Sequence, residues 1–177
     1  MKAKRLFISV IALVCTIGVK AIEQDTDGTY LIGSTDDWNA FASGVSNGTI
    51  PATANANLTE SIEIWNPIIT YSGVFDGGNF TITANITGQA PFANISGATI
   101  KNLKVDGTIT GSRHCAGLVS MADGENYITH VTVSAHISSP DYCGGILGHG
   151  GASYTTIDEC VFAEWVAKYR RQRVFGM

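Results

Sequence analysis

The sequence predicts an all-β chain wound as a parallel β-helix, with about 28 residues per repeat and a short helix capping its N-terminal end. Three observations lead there. First, one eleven-residue pattern with apolar residues at its second, fifth, seventh and eleventh positions occurs at Thr99–Ile109, Tyr127–Ile137 and Thr156–Val166. Its columns are Ile100/Ile128/Ile157, Leu103/Val131/Cys160, Val105/Val133/Phe162 and Ile109/Ile137/Val166. Second, Cys115-Ala116-Gly117-Leu118-Val119 and Cys143-Gly144-Gly145-Ile146-Leu147 recur 28 residues apart, with Phe92 expected in the Leu118/Ile146 slot one coil earlier. Third, the runs between are short and β-branched, broken by Gly and Asn, and show no helical period. Each repeat then forms one coil, stacked about 4.8 Å from the next, and equal positions become inward ladders. A fully buried large aliphatic contributes roughly 1.5–3 kcal/mol, so the ladders supply most of the stabilisation. The competing architecture, an antiparallel sandwich, needs no such register.

Composition narrows the class further. Of 177 residues only 15% are charged, below the roughly 25% of an average soluble domain. Ile, Val and Thr are abundant, which excludes intrinsic disorder. From Ile22 to Ala163 there are three basic residues, Lys101, Lys104 and Arg113, against fourteen acidic ones, a net of −11 that excludes nucleic acid as a partner.

Along the chain, residues 1–21 read as a secretory signal. Lys2, Lys4 and Arg5 precede an uncharged run from Leu6 to Val19, and Val19-Lys20-Ala21 offers a small-residue cleavage site. That run is shorter than the roughly 20 residues a spanning helix needs, so a retained anchor is the weaker reading. Lipidation at Cys15 is a third, opposed by the bulk of Val14 before it. Residues 22–65 form a strand-and-helix cap. Thr29–Ile32 is a strand; Ser34–Gly44 is a helix capped by Ser34 or Thr35, with Asp36 and Asp37 at its positive end and Gly44 as its stop. Trp38, Phe41 and Ala42 share one face and are expected to cover the first coil. Ala56 to Ile64 supplies the next strand region, and Phe75 to Ile82 a strand and turn. Residues 66–166 are the repeats. Residues 167–177 form an atypical basic tail, with Lys168, Arg170, Arg171 and Arg173 and no further Gly-Gly block, read as a truncated or frame-shifted end or as a genuine basic cap.

Phe75-Asp76-Gly77-Gly78-Asn79, then Gly97 to Gly107, then the Ala-Gly-Leu-Val and Gly-Gly-Ile-Leu blocks together resemble the GLUG-repeat proteins. The resemblance covers roughly residues 28–163. It implies an exported bacterial protein with a right-handed parallel β-helix similar to the pectin-lyase fold. The repeats implied occur in adhesin-like surface proteins and beside peptidase or carbohydrate-active modules, and they carry no catalytic residues to transfer. Here Ser120 stands where a closing Gly is usual, and the Phe92 copy lacks the Gly pair.

Candidate chemistry is sparse. Cys115 and Cys143 share a slot one coil apart, within the Cα window of a disulfide, and read either as a bridge or as two stacked buried thiols. Cys160 reads as a small core residue. Arg113 and Asp141 stack, as do His114 and Tyr142; these four are either a polar stripe for a glycan or peptide, or an exposed ion pair and its neighbours. Asp76, Asp106, Asp123, Glu125 and Asp141 are available to a hydrolase or lyase, but most adjoin Gly as turn residues do. His114, His130, His136 and His149 lack zinc-site spacing, and Ser34 cannot close a calcium loop begun at Glu23. No catalytic residue, cofactor or metal is expected.

The expectation is an exported, cell-surface, non-enzymatic scaffold for adhesion or glycan binding. Its partners would be a glycan or a cell-surface protein, with edge-to-edge self-association at an open C-terminal coil. The alternative is a truncated carbohydrate-active β-helix enzyme, a polysaccharide lyase or glycoside hydrolase.

Overall fold

The structure, a computed structural model, describes residues 21–163. The signal segment, the basic tail and Val166 lie outside the described residues, apart from Ala21. The chain is a β-solenoid of about five turns with about 27 residues per turn and a single short helix.

Its elements follow in order. The first coils comprise β1 (Tyr30–Ile32), α1 (Thr35–Asn47), β2 (Ala56–Leu58), β3 (Ile62–Ile64), β4 (Ile68–Tyr71) and β5 (Val74–Asp76). The middle is β6 (Thr81–Thr87), β7 (Phe92–Ser96), β8 (Thr99–Thr110) and β9 (Cys115–Ala116). Last come β10 (Val119–Val133), β11 (His136–Ser138), β12 (Cys143–Gly144), β13 (Leu147–Asp158) and β14 (Val161–Phe162). Every pairing between these strands is parallel.

The expected columns are present. Ile100 pairs with Ile128 and Ile128 with Ile157, Leu103 with Val131, Val105 with Val133 and Val133 with Phe162, Ile109 with Ile137. Their side chains point inward and, from Ile100 to Ile137, are buried. The columns also run further back than the repeat suggests: Phe75 precedes Ile100, Ala56 precedes Phe75, and Tyr30 precedes Ala56. The stretch 22–65 is therefore the first part of the solenoid as well as its cap. Phe92 is one place off its expected slot. It pairs with Val119, not Leu118, because β7 enters with its amide on the Leu118 carbonyl at 3.0 Å.

Helix α1 starts as predicted. Ser34 accepts the Asp37 amide at 3.1 Å, and Trp38, Phe41 and Ala42 are buried. It ends later than predicted, at Gly48, whose φ of 79° makes the left-handed cap. Gly44 is instead buried inside the helix, because a β-carbon there would meet Ile50 Cδ1 at 2.6 Å. Trp38 lies edge-on to Phe75 and Phe92 at 6.0 and 5.9 Å, and its indole donates to the Asn66 carbonyl at 2.8 Å. Thus α1 roofs an aromatic core.

Two kinds of corner recur in the later coils. At one, Asn102, His130 and Glu159 occupy successive coils with φ of 52°, 54° and 48°, a left-handed conformation that non-glycine residues adopt at a cost of roughly 1–2 kcal/mol. These residues are held by internal bonds. Asn102 donates to Asp76 at 3.0 Å, and His130 contacts the Glu159 carboxylate.

Candidate functional site

The second corner lies between β8 and β9 and, one coil on, between β11 and β12. His114 and Tyr142 sit there with φ of 53° and 46°. Immediately after them Cys115 pairs with Cys143 and Ala116 with Gly144, in a two-stranded parallel sheet. That pairing fixes the two corners above one another, so their aromatic side chains meet: the His114 and Tyr142 rings are 5.2 Å apart and close to perpendicular, at 84°. The Arg113 guanidinium carbon lies 5.2 Å from the centroid of the Tyr142 ring, a cation–π contact.

A third ring joins from the following strand. His149, on β13, stacks on His114 at 4.6 Å with 21° between the planes. Its approach depends on Gly148, where a β-carbon would meet the His114 carbonyl oxygen at 2.6 Å. Any larger residue would push β13 away from the corner.

Of the four candidates read from sequence, the structure therefore gathers Arg113, His114 and Tyr142. Asp141 adjoins them along the chain, but the stacked Arg113–Asp141 ion pair does not form; the guanidinium takes the Tyr142 ring instead. Among the described residues the ion pairs are Lys101 with Asp76 at 3.2 Å and His130 with Glu159, both at the other corner. His149 stands outside the four candidates. Sequence spacing relates it to Met121, its register partner, and carries no sign that it reaches back to His114.

The electrostatics of the cluster are one-sided. Partial burial, then the neighbouring His149 and Arg113, hold the His114 imidazole below its ordinary pKa. Tyr142 is 60% exposed, and Arg113 and His149 also face solvent, so the cluster is open to a partner.

Beneath it, Cys115 and Cys143 are free thiols in adjacent coils. Burial, with the Cys143 sulfur beside it, pushes the Cys115 thiol up to about 11, and burial raises Cys143 as well. Neither is activated as a nucleophile. Cys160 is half-buried against the core, with its sulfur 3.5 Å from the Ile128 carbonyl.

The five acids occupy separate places in the register. Asp76 pairs with Lys101, Asp106 with Thr83, Asp123 with Ser96 and Glu125 with Tyr154, while Asp141 stands on the turn before Cys143. Asp76 serves its turn as expected, accepting the Gly78 amide at 3.0 Å. Among the described residues no group of three or more His, Cys, Asp or Glu side chains is placed to hold a metal ion, and no helix is long and apolar enough to cross a membrane. Comparison with known proteins finds no matching family model, no matching curated protein and no matching solved structure.

Proposed function

We propose that this chain is an exported β-solenoid displayed at the cell surface, where it binds a glycan without turning it over. One observation carries the reading. Arg113, His114, Tyr142 and His149, from three separate segments of two successive coils, form an open polar-aromatic platform. An exposed ring beside fixed hydrogen-bond donors suits a sugar, whose apolar face stacks while its hydroxyls bond at the rim. The backbone supports the same reading, since His114 and Tyr142 hold a conformation that Gly or Asn would adopt more cheaply. At the other corner Asn102 bonds to Asp76 and His130 to Glu159, whereas here the contacts are between rings and a guanidinium. The signal-like first 21 residues and the GLUG-like blocks agree with export and surface display.

A glycan array probed with the purified chain tests the proposal. Binding to a restricted set of glycans is expected, reduced at least about tenfold by Tyr142→Asn, which keeps the corner conformation accessible. No binding to any glycan, or steady release of reducing ends or unsaturated sugars from a polysaccharide, would overturn it.

A further inference from the structure

We infer that the Arg113–His114–His149 cluster receives the anionic group of an acidic glycan, a carboxylate or a sulfate, and that it does so in a proton-gated way. The inference rests on the glycan-binding reading above and adds its ligand class and its control.

The argument starts from charge. Residues 22–163 are strongly acidic, and of their three basic residues Lys101 is already paired with Asp76. Lys104 lies on β8, in register with Thr132, away from this corner. An anion approaching the chain is therefore repelled by most of its surface, and any attraction must be local. Arg113 supplies one permanent charge. The two imidazoles stacked at 4.6 Å can add two more.

The groups around His114 can be followed element by element. Arg113 precedes it and Cys115 follows it; the adjoining turn brings Asp141, Tyr142 and Cys143; β13 brings His149; and β10, paired with β13, brings Asp123, whose carboxylate lies beside Gly151. Asp141 forms no ion pair with Arg113 or with either imidazole among the described residues. Protonating both imidazoles beside Arg113 therefore concentrates like charge that no carboxylate pairs with among the described residues. An anion bridging the three groups removes that penalty, and bound anion and bound protons then favour one another by linkage.

Binding must strengthen as pH falls. In the free protein the depressed His114 pKa acts in the opposite sense: the neutral ring is the favoured form, and stability present above the ordinary histidine value is lost as the pH drops. An anionic ligand reverses this, so it should raise the thermal midpoint at low pH and leave it nearly unchanged at high pH.

Three polymers on one backbone isolate the chemistry: dextran, carboxymethyl dextran and dextran sulfate. The full chain should bind one or both charged polymers about tenfold more tightly at pH 5.5 than at pH 8, with little affinity for dextran. Whichever charged polymer binds more tightly identifies carboxylate or sulfate as the preferred group. The double variant His114→Asn, His149→Gln should lose the pH dependence, and Asn tolerates the left-handed corner, so the fold is retained. Arg113→Gln should weaken charged-polymer binding at both pH values. His136→Gln, which removes an exposed histidine on β11 outside the cluster, should keep the full pH dependence and so controls for the change in overall charge. Equal binding of neutral and charged polymers, or a pH dependence that survives in the double variant, would overturn the inference and leave the glycan reading standing. Failure of every glycan, neutral or acidic, on the array would remove that reading itself.

Discussion

The two ends of the described solenoid treat the same columns differently. At the N-terminal end α1 lies across the first coils, and Trp38, Phe41, Tyr71, Phe75 and Phe92 are all fully buried. At the other end the columns continue into β13 and β14, yet Ile157 is 44% exposed and Phe162 only partly buried. Ile100 and Ile128, in the same column as Ile157, are fully buried. The residue type is constant along that column, and so is the inward direction. Ile100 and Ile128 each have a described coil on both sides, whereas Ile157 stands in the last described coil. In a solenoid, burial is a property of neighbouring coils more than of residue identity.

Four substitutions, in three comparisons, bear on that contrast. The largest effect belongs to the roof: Trp38→Ala should destabilise by about 3–5 kcal/mol, since it removes a fully buried ring and the bond to Asn66 together. A urea denaturation curve measures it, and a loss under about 1 kcal/mol would mean that α1 does not seal the coils. The second compares one column with itself. Ile128→Ala should cost about 2–5 kcal/mol and Ile157→Ala about 1 kcal/mol or less, although the side chains are identical. Equal costs would show that the last described coil is as well covered as the middle.

The smallest effect concerns Asp76, in the middle coils. Burial alone would raise its carboxyl, but the Gly78 amide, the Asn102 side chain and Lys101 together outweigh it and hold the group below the usual carboxylate range. Its contribution is therefore present above the unfolded value of about 3.9 and is lost as the pH falls through the folded one. Asp76→Asn should cost about 1 kcal/mol or less at pH 7, because the Lys101 contact is partly exposed. Below about pH 4 the variant and the parent should converge in stability, which urea curves across pH 2.5 to 7 would show. A constant difference across that range would mean the carboxylate charge plays no part.

The later coils were legible because their length is regular. Along the column Ile62, Ile82, Val105, Val133, Phe162 the chain advances 20, then 23, then 28, then 29 residues. A fixed period finds the last two steps and misses the first two, where coils are shorter but keep the same pairing. Phe92 is displaced in the other sense: 26 residues separate it from its expected partner Leu118 and 27 from Val119, with which it pairs. Gly44 misled for another reason: its sequence context reads as a helix stop, whereas the packing of Ile50 against its missing β-carbon is a contact across a turn of chain.

The site divides along similar lines. The stacking of His114 on Tyr142 follows from a 28-residue offset and was visible in one dimension. The capture of Arg113 by the Tyr142 ring and the arrival of His149 were not.

By itself the sequence determined the parallel coil, the inward columns, the start and buried face of the capping helix, and the acidic character of the surface. Those depend on alternation, period and composition, which are properties of the chain order. Only the tertiary structure decided which column positions are shielded, where the shorter first coils pair, and that His149 completes the cluster at the second corner. Those outcomes depend on distances between segments that no local rule relates, and on glycines whose missing β-carbons let one backbone approach another.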